Sequence, residues 1–136
     1  MIEKEAFRFD GFLRHGKDVP HGVKFGDFVF FSAIRPPKPD GTLGETPEEQ
    51  AEDMFLNLER LMESLGGSLN DVLHAQIFCG DGSYVRPLNQ AWYKRFPEES
   101  NPAARQLIQA GAHGGATTEM FSMMVIARNP ASAAAK

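Results

Sequence analysis

The segment from Thr46 to Gly67, TPEEQAEDMFLNLERLMESLGG, carries the strongest structural signal in the chain. Thr46 is a favourable N-cap, Pro47 suits the first helical position, and Glu49 completes a capping box with Thr46. Apolar residues then recur at three- and four-residue spacing, which gathers them on one face of a helix. These residues are Ala51, Met54, Phe55, Leu58, Leu61, Met62 and Leu65. Gly66–Gly67 ends the pattern, so the sequence predicts an amphipathic helix over residues 47–65.

Strand signals lie on both sides of this helix. Before it, the turn Gly26–Asp27 separates Val23–Phe25 from the β-rich run Phe28–Ser32, which predicts a hairpin. The elements predicted after the helix are a strand over 71–79, a second helix over 83–96, and strands over 103–110 and 117–128. The order ββ–α–β–α–ββ predicts an α+β fold, with two helices packed on one face of a mixed β-sheet.

The chain length of 136 residues suits one domain with one core. We assign residues 1–128 to this domain. The last eight residues, 129–136, are small and polar, and we expect this C-terminal tail to fray.

The last predicted strand is nonpolar on both faces. Met120, Met124 and Ile126 alternate along it with residues that are also mostly apolar, including Phe121 and Val125. Two helices cover only one face of a sheet, so the other face needs a second covering layer. Large apolar patches mark interfaces, and another subunit is the simplest supplier of that layer. The sequence therefore predicts an oligomer.

Composition disfavours nucleic-acid and membrane partners. Fourteen basic and 18 acidic residues give a net charge of −4, and the basic residues are scattered singly. Binding to nucleic acid normally requires a basic stripe that neutralises phosphates. No apolar run approaches the length of about 20 residues that a membrane span needs. We therefore expect no nucleic-acid partner and no membrane association.

Cysteine and histidine usage indicates a cytoplasmic protein with no metal site. The only cysteine, Cys79, lies in an apolar run and is expected to be a buried core residue in a reducing compartment. The four histidines show no close metal-ligand spacing. They are His15, His21, His74 and His113. The start of the sequence lacks the features of a signal peptide.

Three segments, in this order, resemble the RidA (YjgF-type) family, whose members are also labelled endoribonuclease L-PSP. Val23–Ser32 resembles the strand pair VKxGNxVFxSG, and Asn57–Val72 resembles NLxxxLxxAGxxLxDVVK. Asn89–Phe96, followed by Asn101–Arg105 and Glu119, resembles NxxYxxFF…PPAR…VEIEA. The ordered set spans roughly residues 20 to 127. The chain is therefore similar to RidA proteins over most of its length.

The resemblance implies a chorismate-mutase-like homotrimer with a central β-barrel and small-ligand clefts between subunits. It also implies hydrolysis of reactive 2-imino or enamine acids to 2-keto acids and ammonia, without a metal or organic cofactor. The expected partner is then a small carboxylate, a 2-imino or 2-keto acid. A planar guanidinium suits such a carboxylate because it donates two parallel charge-assisted hydrogen bonds.

By this resemblance, Arg105 would bind the substrate carboxylate and Glu119 would orient or deprotonate the attacking water. The residues expected to contact the substrate are Ala33, Leu107, Asn89 and His21. His113, in the glycine-rich segment 111–115, is an alternative cleft residue, although loop exposure is the more ordinary interpretation.

This chain departs from the family pattern in three places. The family's Pro-Ala-Arg becomes Pro102–Ala103–Ala104–Arg105, so a gapless alignment puts Ala104, not Arg105, in the arginine position. A one-residue slip turns a strand side chain to the opposite face. The family's Ser-Gly-Gln-Ile-Pro becomes Ser32–Ala33–Ile34–Arg35–Pro36, where we expect the methyl group of Ala33 either to narrow the pocket or to disfavour a positive φ. A residue that is often small in the family is Leu107 here.

These departures leave three functional hypotheses. The first is an imine or enamine deaminase. The second is a non-catalytic trimer that binds a small carboxylate. The third is the ribonuclease or translation-inhibitor activity attached to some relatives, which the acidic composition and the lack of a basic aromatic surface disfavour.

Overall fold

We analysed a computed structural model, which describes residues 2–13, 16, 18–97, 102–110 and 118–132. Six strands and two α-helices form an α+β fold, as the sequence predicted. The strands are β1 (Glu5–Phe7), β2 (Gly22–Phe25), β3 (Phe28–Phe31), β4 (Val72–Cys79), β5 (Ala104–Gln109) and β6 (Phe121–Arg128). The helices are α1 (Pro47–Ser64) and α2 (Val85–Arg95), and 3₁₀ turns occupy Leu69–Asp71 and Gly82–Tyr84.

Helix α1 begins and ends where its capping residues place it. The hydroxyl of Thr46 accepts a hydrogen bond from the backbone N–H of Glu49, and Leu65 is the C-cap. Gly66 follows with φ of +84°, a conformation that favours glycine. The predicted capping box is only half formed, because the Glu49 carboxylate accepts from the N–H of Glu45 rather than of Thr46.

The strand order is β1-β2-β3-β6-β4-β5, and the sheet is mixed. Only the pair β4–β5 is parallel among the described strands. The predicted hairpin is confirmed, with Phe25 opposite Phe28 across the Gly26–Asp27 turn. Strand β1 was not predicted; it is a short edge strand that pairs Ala6 with Val23.

Both helices pack on the same face of the sheet. Alternate residues of β6 are buried beneath them, and each is no more than 1% exposed. These residues are Phe121, Met123, Val125 and Ala127. Helix α1 contributes the fully buried Phe55 and Leu58, and α2 contributes Leu88 and Trp92. The layer arrangement predicted from the sequence is therefore confirmed.

The opposite face of the sheet presents large apolar side chains. Phe25, Phe28, Phe30 and Met124 project from it and are 42–46% exposed. Their strand partners in register confirm that they share this face, since residues directly opposite in a ladder point the same way. We call this surface the open sheet face. It is the face for which the sequence predicted a second covering layer.

The chain after β6 turns back onto the hairpin. The N–H of Asn129 donates to the carbonyl oxygen of Asp27 at 2.7 Å, and its side-chain amide donates to Gly26 at 3.1 Å. Of the tail 129–136 that was predicted to fray, residues 129–132 are described, and Asn129 is buried and hydrogen-bonded; residues 133–136 lie outside the described residues. No described helix is long and apolar enough to cross a membrane.

Candidate functional site

Arg105 lies on β5 with its side chain on the helix-covered face of the sheet. Its strand neighbour in register is Ala75, which is fully buried under the helices. The guanidinium donates from Nη1 to Oδ1 of Asn89 at 2.7 Å, and its carbon lies 5.3 Å from the ring centroid of Trp92. The structure therefore brings two predicted site residues together, Arg105 and Asn89, on an aromatic platform from α2.

The neighbouring Ala104 faces the other way. It pairs with His74, and successive side chains of a strand point to opposite faces. Ala104 therefore lies on the open sheet face and Arg105 on the face of α2. Leu107, two residues further along β5, shares the face of Arg105 and is half-buried against the core.

Glu119 lies two residues before the start of β6 and forms a bidentate ion pair with Arg35. Nε of Arg35 donates to Oε1 at 2.7 Å, and Nη2 donates to Oε2 at 2.5 Å. The Glu119 side chain is 13% exposed and that of Arg35 is 38% exposed. Hydrogen bonding to this carboxylate raises the pKa of Arg35. The charge of a largely buried carboxylate is thus matched by a guanidinium.

Helix α1 fixes the backbone on both sides of this ion pair. The buried amide of Gln50 donates to the carbonyl oxygen of Thr118 at 3.1 Å and accepts from the N–H of Met120 at 2.8 Å. Two turns later, the amide of Asn57 donates to the carbonyl oxygens of Arg35 and Pro37, each at 2.8 Å. Both partners of the ion pair are therefore held by side chains of one helix.

Arg105 and Glu119 lie at different ends of the sheet. Arg105 is level with Ala75, whereas Phe121, two residues after Glu119, is level with Cys79. At about 3.3 Å per residue, these two levels are about 13 Å apart along β4. The two strands also lie on opposite sides of β4. Within one chain, the two predicted catalytic residues therefore do not form one cluster.

His21 and Ala33 line a small cavity of about 40 Å³ beside Arg35, together with Phe12, Ile34 and Asn57. His21 is 6% exposed, and its Nδ1 accepts from the N–H of Phe9 at 3.0 Å. Because Nδ1 is the acceptor, Nε2 carries the hydrogen and donates to the carbonyl oxygen of Leu13 at 3.0 Å. His21 thus also fixes the segment that covers the cavity.

Sequence reasoning did not identify two residues that contact Glu119 or its neighbours, Arg35 and Gln50. Arg35 pairs with a residue 84 positions away, so no local sequence pattern predicts this ion pair. Gln50 gave a usable signal, because it is an amide on the apolar face of α1, and a buried polar group requires partners. His113 lies outside the described residues, and among the described residues no three acidic, histidine or cysteine side chains cluster as metal ligands.

Comparisons with known proteins agree with the fold and the segment order. Protein HMF1 of Saccharomyces cerevisiae is 27% identical over 93 residues, which cover 68% of this chain and 70% of that protein. A RutC family protein of Haemophilus influenzae is 28% identical over 72 residues, covering 53% of this chain and 61% of that protein.

Solved structures share the same architecture. RidA from a Psychrobacter bacterium superposes with a TM-score of 0.80 at 26% identity, covering 91% of this chain and 98% of that one. Escherichia coli TdcF with bound serine gives a TM-score of 0.81 at 19% identity, covering 91% and 98%. Residues 18–125 match the family described as Endoribonuclease L-PSP. Because that match covers well over half of the chain, the protein belongs to the endoribonuclease L-PSP family, the family of the RutC and RidA proteins.

Proposed function

We propose that this protein hydrolyses reactive 2-imino or enamine acids to 2-keto acids and ammonia, in clefts between the subunits of a homotrimer. The observation that carries the proposal is the arrangement of Arg105, which Asn89 and Trp92 hold in place at the edge of the sheet. A guanidinium has five N–H donors in a rigid fork. One hydrogen bond to Asn89 is therefore compatible with bidentate binding of a substrate carboxylate.

The chemistry needs few groups. An imine is already electrophilic, so binding its carboxylate and placing a water beside the C=N carbon supply much of the rate enhancement. The water oxygen bonds to that carbon, and protons pass from the water to the nitrogen. The C–N bond then breaks, which releases ammonia and leaves the carbonyl of the 2-keto acid. Glu119 is the proposed group that orients the water, and no metal or organic cofactor takes part.

The separation of Arg105 from Glu119 along the sheet supports a shared site. If both act on one substrate, they come from two different chains. The open sheet face, with Phe28, Phe30 and Met124 at its surface, supplies an apolar area that another subunit would cover. A homotrimer is the assembly that we propose, with a 2-imino or 2-keto acid as its small carboxylate partner. A free cysteine fits a reducing compartment, so the cytoplasm is the proposed location.

A non-catalytic carboxylate-binding trimer is the second candidate. The specific observation in its favour is the bidentate ion pair of Glu119, because both carboxylate oxygens are already engaged by Arg35 within the chain. The fold is compatible with either role, since the Escherichia coli TdcF structure with the same architecture holds serine, a small carboxylate. A ribonuclease role is disfavoured by the net charge of −4.

The decisive experiment generates a 2-imino acid in place with an amino-acid oxidase and follows its conversion to 2-keto acid. We expect the protein to accelerate this conversion, and we expect Arg105→Ala to abolish the acceleration. Calorimetry with pyruvate or 2-ketobutyrate separates the two candidates. Binding without any turnover would establish the carboxylate-binding protein. If the protein shows no binding and no turnover, both candidates are rejected. Incubation with single-stranded RNA tests the ribonuclease role.

A further inference from the structure

We propose that Arg35 is the positioning residue for Glu119, a role separate from that of Arg105. The inference rests on the proposed hydrolytic function and concerns the same site. It assigns a function to a residue that stands where the family pattern has isoleucine, in the segment Ser32–Pro36.

The geometry of the ion pair fixes the orientation of the carboxylate. Nε and Nη2 of Arg35 each donate to a different oxygen of Glu119, so the carboxylate lies in the plane of the guanidinium fork. Each carboxylate oxygen has two lone-pair sites, and Arg35 occupies one on each. The ion pair thereby sets the direction in which the carboxylate faces the attacking water.

The backbone of both residues is held independently of the ion pair. Ile34 exchanges two hydrogen bonds with Met123, at 2.8 and 2.9 Å, which fixes the strand-like segment before Arg35 against β6. Asn57 binds the carbonyl oxygen of Arg35 itself. Gln50 binds the residues on either side of Glu119. These hydrogen bonds from α1 and β6 already hold the backbone of both residues. Formation of the ion pair therefore requires little further ordering of the backbone.

The ion pair with Arg35 suits Glu119 to orient the attacking water. The fork of Arg35 fixes both oxygens of Glu119, so the carboxylate is held in one orientation that is suited to this task. The proton released on attack passes to the imine nitrogen and gives a carbinolamine. The hydroxyl proton of this intermediate then reaches the nitrogen as the C–N bond breaks, which releases ammonia and leaves the 2-keto acid. Arg35 thereby affects the rate of the chemical step through Glu119, whereas Arg105 affects substrate binding.

The test is a double-mutant cycle on turnover of an imino acid generated in place. We expect Arg35→Ile to lower kcat at least tenfold while KM stays within about twofold, since Arg35 does not hold the substrate. Arg35→Lys should retain part of the rate, because an ammonium supplies charge but not the planar fork. The double variant Arg35→Ile with Glu119→Gln should be no slower than Glu119→Gln alone.

Two controls keep the outcomes distinct. Lys38, three residues after Arg35, forms an ion pair with Asp53. Lys38→Ile therefore removes a nearby cation without touching Glu119 and should leave kcat unchanged. Denaturation midpoints of the same four proteins of the cycle show whether each variant folds. Non-additive unfolding free energies are expected for a true contact, and additive ones would contradict it.

Failure of the two proposals looks different. A parent protein that hydrolyses no imine overturns the proposed function, and the role of Arg35 falls with it. An active parent whose Arg35→Ile variant keeps the same kcat overturns the role of Arg35 alone. Rate losses from Arg35→Ile and Glu119→Gln that simply multiply would likewise show that Arg35 does not act through Glu119.

Discussion

The guanidinium of Arg105 donates a 2.7 Å hydrogen bond to Oδ1 of Asn89, which joins strand β5 to helix α2. Trp92 lies almost one turn after Asn89 on the same helix, and its ring lies against the guanidinium. Asn89 thus fixes the direction of the fork and Trp92 fixes its plane. An arginine held in this way loses less conformational freedom when it binds a planar carboxylate.

Arg105→Ala should therefore abolish measurable binding of pyruvate or 2-ketobutyrate. Loss of a charge-assisted bidentate pair costs about 2–5 kcal/mol when the site is desolvated, which corresponds to about 30-fold or more in Kd. Calorimetry measures this affinity. Arg105→Lys should rescue poorly, because an ammonium lacks the fork. Glu119→Gln is the contrasting variant and should largely retain binding. Parent-like binding by Arg105→Ala would show that this residue lies outside the ligand site.

Gln50→Leu should destabilise the protein by about 1–3 kcal/mol, because it leaves one buried and two partly buried backbone groups without their side-chain partner. The amide of Gln50 is bound to the carbonyl oxygens of Gly44 and Thr118 and to the N–H of Met120. Urea denaturation measures the change. Gln90→Leu is the matched control, since Gln90 is an exposed glutamine on α2 and its replacement should change stability little. An unchanged midpoint for Gln50→Leu would contradict a stabilising role for these three hydrogen bonds.

The stability that Glu52 contributes should disappear in acid. Arg95, whose side chain is 6% exposed, donates to both carboxylate oxygens of Glu52 and to Glu59. Hydrogen bonding to Arg95 lowers the pKa of Glu52 from its usual value of 4.5. A lowered pKa gives stability that is fully present above the unfolded-state value and is lost as pH falls through the folded-state value.

Denaturation midpoints between pH 7 and pH 3 check this prediction. Glu52→Gln should be less stable than the parent at pH 7, and the difference should shrink as the pH falls below about 4.5. Glu63→Gln, at an exposed position of the same helix, serves as the control. A difference that stays constant over this range would mean that the ion pair between α1 and α2 contributes no pH-dependent stability.

The open sheet face should mediate self-association. We expect a species of three times 15.0 kDa in sedimentation at micromolar concentration, because Phe28, Phe30 and Met124 offer an apolar surface to another subunit. Phe30→Asp should release monomers by placing an unpaired charge in the interface. Tyr93→Ser, at a 55% exposed position on α2, should not change the mass. A stable parent monomer would refute both the interface and the shared site.

Local patterns were sufficient to predict most of the fold. The apolar spacing from Ala51 to Leu65 and the caps at Thr46 and Gly66 place α1 to within one residue of its observed end. The turn Gly26–Asp27 locates the hairpin. Strand β1 was not predicted, because Glu5–Phe7 is too short to show an alternation of apolar and polar residues. It is stabilised by pairing with β2. Short edge strands are formed by their neighbours rather than by their own residues.

The site was less accessible to such reasoning. The motif order identified Arg105, Asn89 and Glu119, and the structure brings the first two together. It pairs Glu119 with Arg35 instead, through contacts between distant segments that no periodicity encodes. The departure at Arg35 from the family pattern marks an unusual position in the sequence. Its partner, Glu119, is known only from the folded structure.

The buried amide of Gln50 has a consequence for hydrogen exchange. The N–H of Met120 is bonded to a side chain of α1 rather than to a neighbouring strand. Its hydrogen can exchange with deuterated solvent only when that side chain withdraws, so the exchange rate of this one amide reports how often the helical layer lifts from the sheet. Because Glu119 is the adjacent residue, we expect loss of this hydrogen bond to release the ordered carboxylate as well.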